Sequence, residues 1–414
     1  MKKLSVYLIL IMALPMCSYA QLGPTVTSWI LNTTGATGYG GILSNVQQVQ
    51  YGTNNVYVSC TCIPGYSIGP WTGNPNIPSN QNFVFKITRN PTPNTGALTA
   101  VSLGQIGVWK NGVTMYNALD AQSYNNQGVW LQNAYHFELV SFDNCLGHPD
   151  QSGQYHHHVS PTCLYDQTDS MHHSPLIGYA FDGYPVYGAY AYSNTNGTGA
   201  IKRMASSFQL RNITDRTTLP NGTTASSAGP AIGTQYPLGS YIQDYVFVQG
   251  SGDLDSNNGR FCITPEYPQG TYAYFVTIDA SLKPVYPYIL GGHYYGVVQA
   301  GNTSGGMGNP GGHNTISETV TTYTTGVATV PSKLSTLVYP NPAGDYLFIY
   351  IQPIASNNFT ARLVDMTGRI VSTMENVQPT ISYTLDVSKV PSGVYNLVLQ
   401  NSDITHSEKI VVSH

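Results

Sequence analysis

Ile106-Gly107-Val108-Trp109-Lys110-Asn111-Gly112-Val113-Thr114-Met115-Tyr116 sets two short β-forming runs on either side of an Asn-Gly pair. Asn-Gly readily takes the positive φ of a tight primed turn, so the stretch predicts a β-hairpin. Runs of the same kind, bounded by turn residues, recur on both sides of it: Val56-Tyr57-Val58, Phe83-Val84-Phe85-Lys86-Ile87 and Tyr272-Ala273-Tyr274-Phe275-Val276-Thr277-Ile278. No long helical periodicity interrupts them. The expected fold class is all-β, with a large β-rich N-terminal domain carrying long loops and a smaller β domain behind it.

The ends of the chain read differently from its body. Lys2 and Lys3, the apolar run Leu4 to Leu14 and the small-x-small Ser18-Tyr19-Ala20 make residues 1–20 a secretory signal peptide, with Gln21 as the mature start. The apolar run is shorter than the roughly 20 residues a membrane-spanning helix needs, and no later segment reaches that length. Residues 21–300 form the large domain. From 301 to 333 the sequence is Gly- and Thr-rich and reads as a linker. Alternating apolar strands resume at Tyr346-Leu347-Phe348-Ile349-Tyr350 and Tyr395-Asn396-Leu397-Val398-Leu399, so 334–414 is expected to be a small antiparallel sandwich.

Only 9% of residues are charged and the formal net charge is −4, or −6 without Lys2 and Lys3. With no basic run to meet phosphates, a nucleic-acid partner is not expected. Export places the cysteines in an oxidising compartment. Cys145 and Cys163 are expected to pair, closing the segment between them into a loop. Cys60 and Cys62 are too close along an extended chain to pair with each other. One of them is expected to meet Cys262, leaving one free thiol; a soft-metal pair is the other reading of Cys60-Thr61-Cys62.

Seven of the eleven histidines (His136, His148, His156, His157, His158, His172 and His173) fall in one short stretch, with three consecutive in Gln154-Tyr155-His156-His157-His158-Val159. Imidazole is the commonest protein ligand for zinc, copper and similar metals, so this crowding marks a candidate site. Along a strand, side chains alternate faces: His156 and His158 should project together, Tyr155 and His157 the other way. His136, in Tyr135-His136-Phe137-Glu138-Leu139, is expected to pack within a strand. His172 reads as an exposed neighbour, and His293 stands far away in sequence.

Two resemblances add to this reading. Tyr339-Pro340-Asn341-Pro342-Ala343, Asp365-Met366-Thr367-Gly368-Arg369, Pro391-Ser392-Gly393-Val394-Tyr395 and Lys409-Ile410-Val411-Val412 resemble, in order and spacing, the type A C-terminal sorting domains of the type IX secretion system of Bacteroidota. That resemblance implies the secretion machinery as a partner and a secreted or outer-surface location reached via the periplasm. Residues from about Gln21 to Gln299 resemble the YHYH-domain proteins. The residues that carry this are Asp143-Asn144-Cys145-Leu146-Gly147-His148-Pro149, the Tyr155-His156-His157-His158 run, His173-Ser174-Pro175 through Asp182-Gly183-Tyr184-Pro185-Val186-Tyr187-Gly188, Asn258-Gly259-Arg260 and Thr264-Pro265-Glu266-Tyr267-Pro268. His157 stands where that family has its second tyrosine. The resemblance brings no established activity with it. His148 and His173, both within these motifs, are the candidates to complete a metal site with His156 and His158, and Asp143 and Asp182 could orient imidazoles from behind.

Zinc or copper is the expected metal, in a site of three protein ligands with an open position or a fuller set. Asp253-Leu254-Asp255-Ser256-Asn257 has the oxygen spacing of a calcium loop at Asp253, Asp255 and Asn257, although its glycine comes late and no glutamate follows at the twelfth position. The alternative there is a polar turn capped by its aspartates. Ser174 follows His173 but sits in no nucleophile elbow. Glu138, Asp143, Asp166, Asp182 and Glu266 could each act as a general base and none stands out. Three functional classes follow: a secreted metal-binding module, a metal-dependent hydrolase or oxidoreductase, and a surface adhesin whose histidines form a structural polar core.

Overall fold

The computed structural model describes residues 22–303, 311–324, 336–351, 358–366, 368–378, 381–401 and 405–414. The expected signal peptide and the glycine-rich middle of the expected linker lie outside them. The chain divides into two units, Met1–Tyr323 and Thr324–His414, and both are β structures. Among the described residues no helix is long and apolar enough to cross a membrane.

The hairpin that sets the fold class is formed by the strands Gln105–Trp109 and Thr114–Tyr116. Its turn differs in detail from the sequence expectation. Trp109 and Val113 close the loop (Trp109 N to Val113 O, 2.8 Å), Gly112 N donates to Trp109 O, and Gly112 alone has positive φ, at 81°. This is a three-residue loop with a glycine bulge rather than a two-residue primed turn. The Asn111 side chain turns inward to accept from Val113 N instead of its backbone adopting positive φ. A Cβ on Gly112 would lie 2.5 Å from that of Cys60, so glycine is needed there for space as well as for φ.

The hairpin is the middle of an eight-stranded mixed sheet, in the order Gly259–Thr264, Tyr267–Phe275, Pro185–Tyr187, Leu176–Ala180, Gln105–Trp109, Thr114–Tyr116, Tyr155–His157, His148–Pro149. Every residue of the Leu176–Ala180, Gln105–Trp109 and Tyr155–His157 strands is buried, as in a sheet covered on both faces. A second sheet packs Thr321–Tyr323, Val46–Tyr51, Asn55–Cys60 and Phe83–Thr88 in that order. The stretch expected to be a linker therefore belongs in part to this unit. Asn302, fully buried, exchanges hydrogen bonds with the Lys86 backbone, Gly312 O accepts from Val84 N, and Tyr323 pairs with Val49. Asparagine side chains here substitute for a missing strand edge, which composition could not reveal.

A core this rich in tyrosine must satisfy its hydroxyls. Carboxylates do so: Tyr274 donates to Asp182 (2.6 Å), Tyr187 to Glu266 (2.8 Å), Tyr272 to Asp255 (2.9 Å), Tyr155 to Asp143 (3.0 Å) and Tyr116 to Asp150 (3.0 Å). Five of the chain's 20 acids are thus committed to holding tyrosines. The disulfide joins Cys145 to Cys163, as the sequence predicts, whereas Cys60, Cys62 and Cys262 are all buried free thiols. Cys60 and Cys62 instead donate to the backbone oxygens of Gly112 and Tyr155, so neither meets Cys262.

The second unit is an antiparallel sandwich. A three-stranded sheet (Thr336–Tyr339, Tyr346–Ile351, Ser382–Asp386) and a four-stranded one (Ile370–Val377, Phe359–Asp365, Gly393–Gln400, Thr405–Val412) share a buried cluster that includes Leu347, Ile349, Leu363, Leu397 and Ile410.

Candidate metal centre

Register brings the histidines together. His148 lies directly opposite His156 on adjacent antiparallel strands, and such cross-strand partners share a face. His158 follows His156 by two residues and returns to that face. Their three side chains converge, each offering a ring nitrogen within 4.8 Å of the other two, and all three are buried. His157 points the other way, fully buried between Tyr155 and Trp109, and neither of its ring nitrogens makes a well-aligned hydrogen bond.

The protonation of the three rings follows from what lies behind them. His156 Nδ1 is 3.0 Å from Gln154 O and His158 Nδ1 is 2.6 Å from Asn117 O. A carbonyl only accepts, so both Nδ1 atoms carry the proton. His148 Nδ1 meets Ser141 Oγ at 2.8 Å, and that hydroxyl already donates its own proton to Glu138 O, so His148 Nδ1 must donate as well. Burial depresses the pKa of His156 far below the ordinary range and takes that of His148 down to about 2, with the neighbouring imidazoles adding to both effects. The rings of His148 and His156 are therefore neutral, and the Nε2 atoms of all three histidines face one another. His156 Nε2 and His158 Nε2 stand 3.1 Å apart, within hydrogen-bond distance, and His148 Nε2 makes no hydrogen bond.

Glu138 adds a fourth electronegative atom. Its Oε2 is 3.2 Å from His158 Nε2 and 3.9 Å from His148 Nε2. The approach to His158 has the distance of an ion pair, although Glu138 Oε2 makes no well-aligned hydrogen bond there. Burial pushes the Glu138 carboxyl up, but its contact with the adjacent His158 outweighs this and holds the group below its ordinary value. Ring nitrogens and a carboxylate crowded this way need a shared proton or a cation among them. Tetrahedral zinc with ~2.0–2.1 Å bonds to nitrogen sets its ligands about 3.3 Å apart, close to the spacing of the nearest pairs here. Tyr116 stacks on His156 at 3.8 Å and Phe142 packs edge-on to His148 at 4.7 Å, fixing the ring planes.

The other sequence candidates go elsewhere. His173 is not in the group: its Nδ1 meets Ser174 O and its ring sits among Tyr187, Tyr192 and Phe275. Asp143 and Asp182 spend their carboxylates on groups other than imidazoles. Asp143 accepts from Gly69 N, Cys145 N, Gly147 N and the Tyr155 hydroxyl, shaping the loop before His148. Asp182 accepts from Tyr184 N, Tyr274 Oη and Gly296 N. At the calcium-like stretch, Asp253 pairs with Lys202, while Asp255 accepts from Asn257 N, Gly259 N and Tyr272 Oη, which is the arrangement of a capped polar turn.

His136 is not in a strand. Ala134–Phe137 is a single helical turn, followed by a 3-10 turn over Leu139–Ser141, and Asn133 caps it by accepting from Tyr135 N. This turn presents Glu138 and Ser141 to the histidines. Asn133 before the apolar run was the available cue, since asparagine is a favoured cap. Nothing in the sequence marks Asn117 O or Gln154 O as the acceptors that set the tautomers.

Comparison with known proteins agrees with this layout. Residues 84–287 match the family model of the YHYH protein, a span that holds all three histidines and Glu138. Residues 337–413 match the secretion system C-terminal sorting domain, which indicates export by the type IX system to a secreted or cell-surface location. No curated protein matches the chain. The chain is a YHYH-domain protein that carries a C-terminal sorting domain of the type IX secretion system.

Proposed function

We propose that the first unit is an exported metal-binding module whose ion, zinc or copper, is held by His148, His156 and His158. One observation carries this: three imidazoles whose Nδ1 atoms are all engaged by partners behind them, leaving three Nε2 atoms aimed at one point. Backing of each ligand by a hydrogen-bond acceptor is the usual second layer of a histidine metal site. The structural polar-core reading fares worse, because the core's tyrosine hydroxyls pair with carboxylates and leave His148 Nε2 without a hydrogen-bond partner.

Binding ranks ahead of catalysis because the histidines are closed off, with side-chain exposures of 6% for His148 and 3% for His158. Elemental analysis of the purified full-length chain, before and after dialysis with zinc or copper, is expected to find about one transition metal per chain. A chain that stays metal-free after both treatments sinks the proposal.

The export route is the second part of the reading. An N-terminal signal peptide would deliver the chain to the periplasm, and the sorting domain would carry it across the outer membrane. The two units have separate buried cores, so a chain ending at Tyr323 should fold and bind metal yet accumulate in the periplasm. Normal appearance of this truncated chain outside the cell would reject the role of the tail.

A further inference from the structure

We infer that Glu138 is the fourth donor of this centre, closing it as a site of three imidazoles and one carboxylate, so that the resting ion carries no freely exchangeable water. This rests on the three-histidine reading above and adds to it the site's coordination, its entrance and the class of ion it selects.

The placement of Glu138 carries the inference. Its Oε2 approaches two of the three converging nitrogens, at 3.2 and 3.9 Å, and no donor satisfies it. A buried carboxylate oxygen drawn this close to converging ring nitrogens stands where an ion held by them would take it as a further ligand. The Glu138 backbone is also linked to His148 by a hydrogen-bond relay. Ser141, three residues on, donates to the Glu138 carbonyl and accepts from His148, so one helical segment positions both the carboxylate and the backing of a histidine.

Exposure distinguishes the four. The histidines form a buried floor, whereas the Glu138 side chain is 28% exposed, so it is the side from which an ion enters and the group with freedom to swing onto the metal. Three imidazoles and one carboxylate form a set of nitrogen and hard oxygen suited to a divalent ion such as zinc or copper(II). Copper(I) prefers thiolate and thioether sulfur. The nearby thiols do not contribute: Cys62 is committed to the Tyr155 carbonyl and Cys145 to its disulfide.

Cobalt(II) loaded into the full-length chain, followed in visible absorption during an azide titration, tests this directly. Wild type should give the intense bands of a four-coordinate ion and be indifferent to azide. Glu138→Ala should leave a position open, so that azide shifts the spectrum at concentrations at least about tenfold lower, and should weaken zinc binding by about 10–100-fold. Glu138→Gln, close in size and able to keep the fold if alanine does not, should fall between the two. A wild-type cobalt form as responsive to azide as the variants overturns the fourth-donor role while leaving the three-histidine site standing. A wild-type chain that takes up neither cobalt nor zinc overturns both, which keeps the two failures apart.

Discussion

His158→Ala and His156→Ala are each expected to lower the affinity of the full-length chain for zinc or copper by more than about 100-fold, while His157→Tyr leaves it within a few-fold of wild type. The order follows from register. Pairing of His148 with His156 and the two-residue step to His158 put three rings on one face, and His157 faces Trp109 and Tyr155 behind the strand. Losing one of three nitrogen donors removes a metal bond outright, a larger effect than the 10–100-fold typical of a lost supporting contact. His157→Tyr restores the residue the family resemblance implies, but it enlarges a fully buried side chain. A Cβ built on Gly147 would come within 2.9 Å of the His157 ring, so the pocket is tight. The substitution should therefore cost about 1–3 kcal/mol of stability without touching the metal. Equilibrium dialysis of zinc with a urea titration on the same samples separates the two quantities. If His157→Tyr proves the most damaging to metal binding, the face assignment is wrong.

How much of this was legible in the sequence depends on the range of the interaction that decides it. Alternation along Tyr155–His158 is local, and it gave the correct facing of His156, His157 and His158. The Cys145–Cys163 bridge was legible because both residues bracket one loop in a chain bound for export. Pairing between segments was not. His148 and His173 looked equivalent as completing ligands, and only the fold tells them apart: strand register sets His148 against His156, whereas the His173 ring packs among Tyr187, Tyr192 and Phe275. Asp143 and Asp182 drew attention as rare acids near histidines. The competing demand that won was the need of buried tyrosine hydroxyls for acceptors. Glu138 was one acid among five because the segment Tyr135–Leu139 was read as a strand. The Asn133 cap turns it into a helix and swings Glu138 toward the site.

Arg216→Met should destabilise the first unit by about 3–5 kcal/mol, the cost of leaving one half of a buried ion pair. Both side chains are fully enclosed. Arg216 meets Asp244 through two bonds of 2.7 Å and spends its remaining donors on the carbonyls of Pro230, Tyr236 and Pro237. Asp244 in turn accepts from Gly239 N and Tyr241 N. Bidentate geometry with every donor satisfied is the form in which such a pair is hardest to break from one side. The consequence reaches the metal centre. The loop held by Asp244 supplies Gly239 O and Ser240 O to the side chain and backbone of Asn133, the residue that caps the helical turn carrying Glu138. Arg216→Met should therefore also loosen Glu138 and weaken zinc binding a few-fold, much less than loss of a histidine. Asp244→Leu on the same background removes the stranded charge but orphans the Gly239 and Tyr241 amides. The double variant should cost less than the two single changes added together while remaining less stable than wild type. Urea denaturation followed by tryptophan fluorescence reads this unit alone, because Trp29, Trp71, Trp109 and Trp130 are all of the chain's tryptophans and all lie within it. An unfolding free energy for Arg216→Met within about 1 kcal/mol of wild type would mean that water reaches Asp244 and that this pair does not brace the turn beneath the metal site.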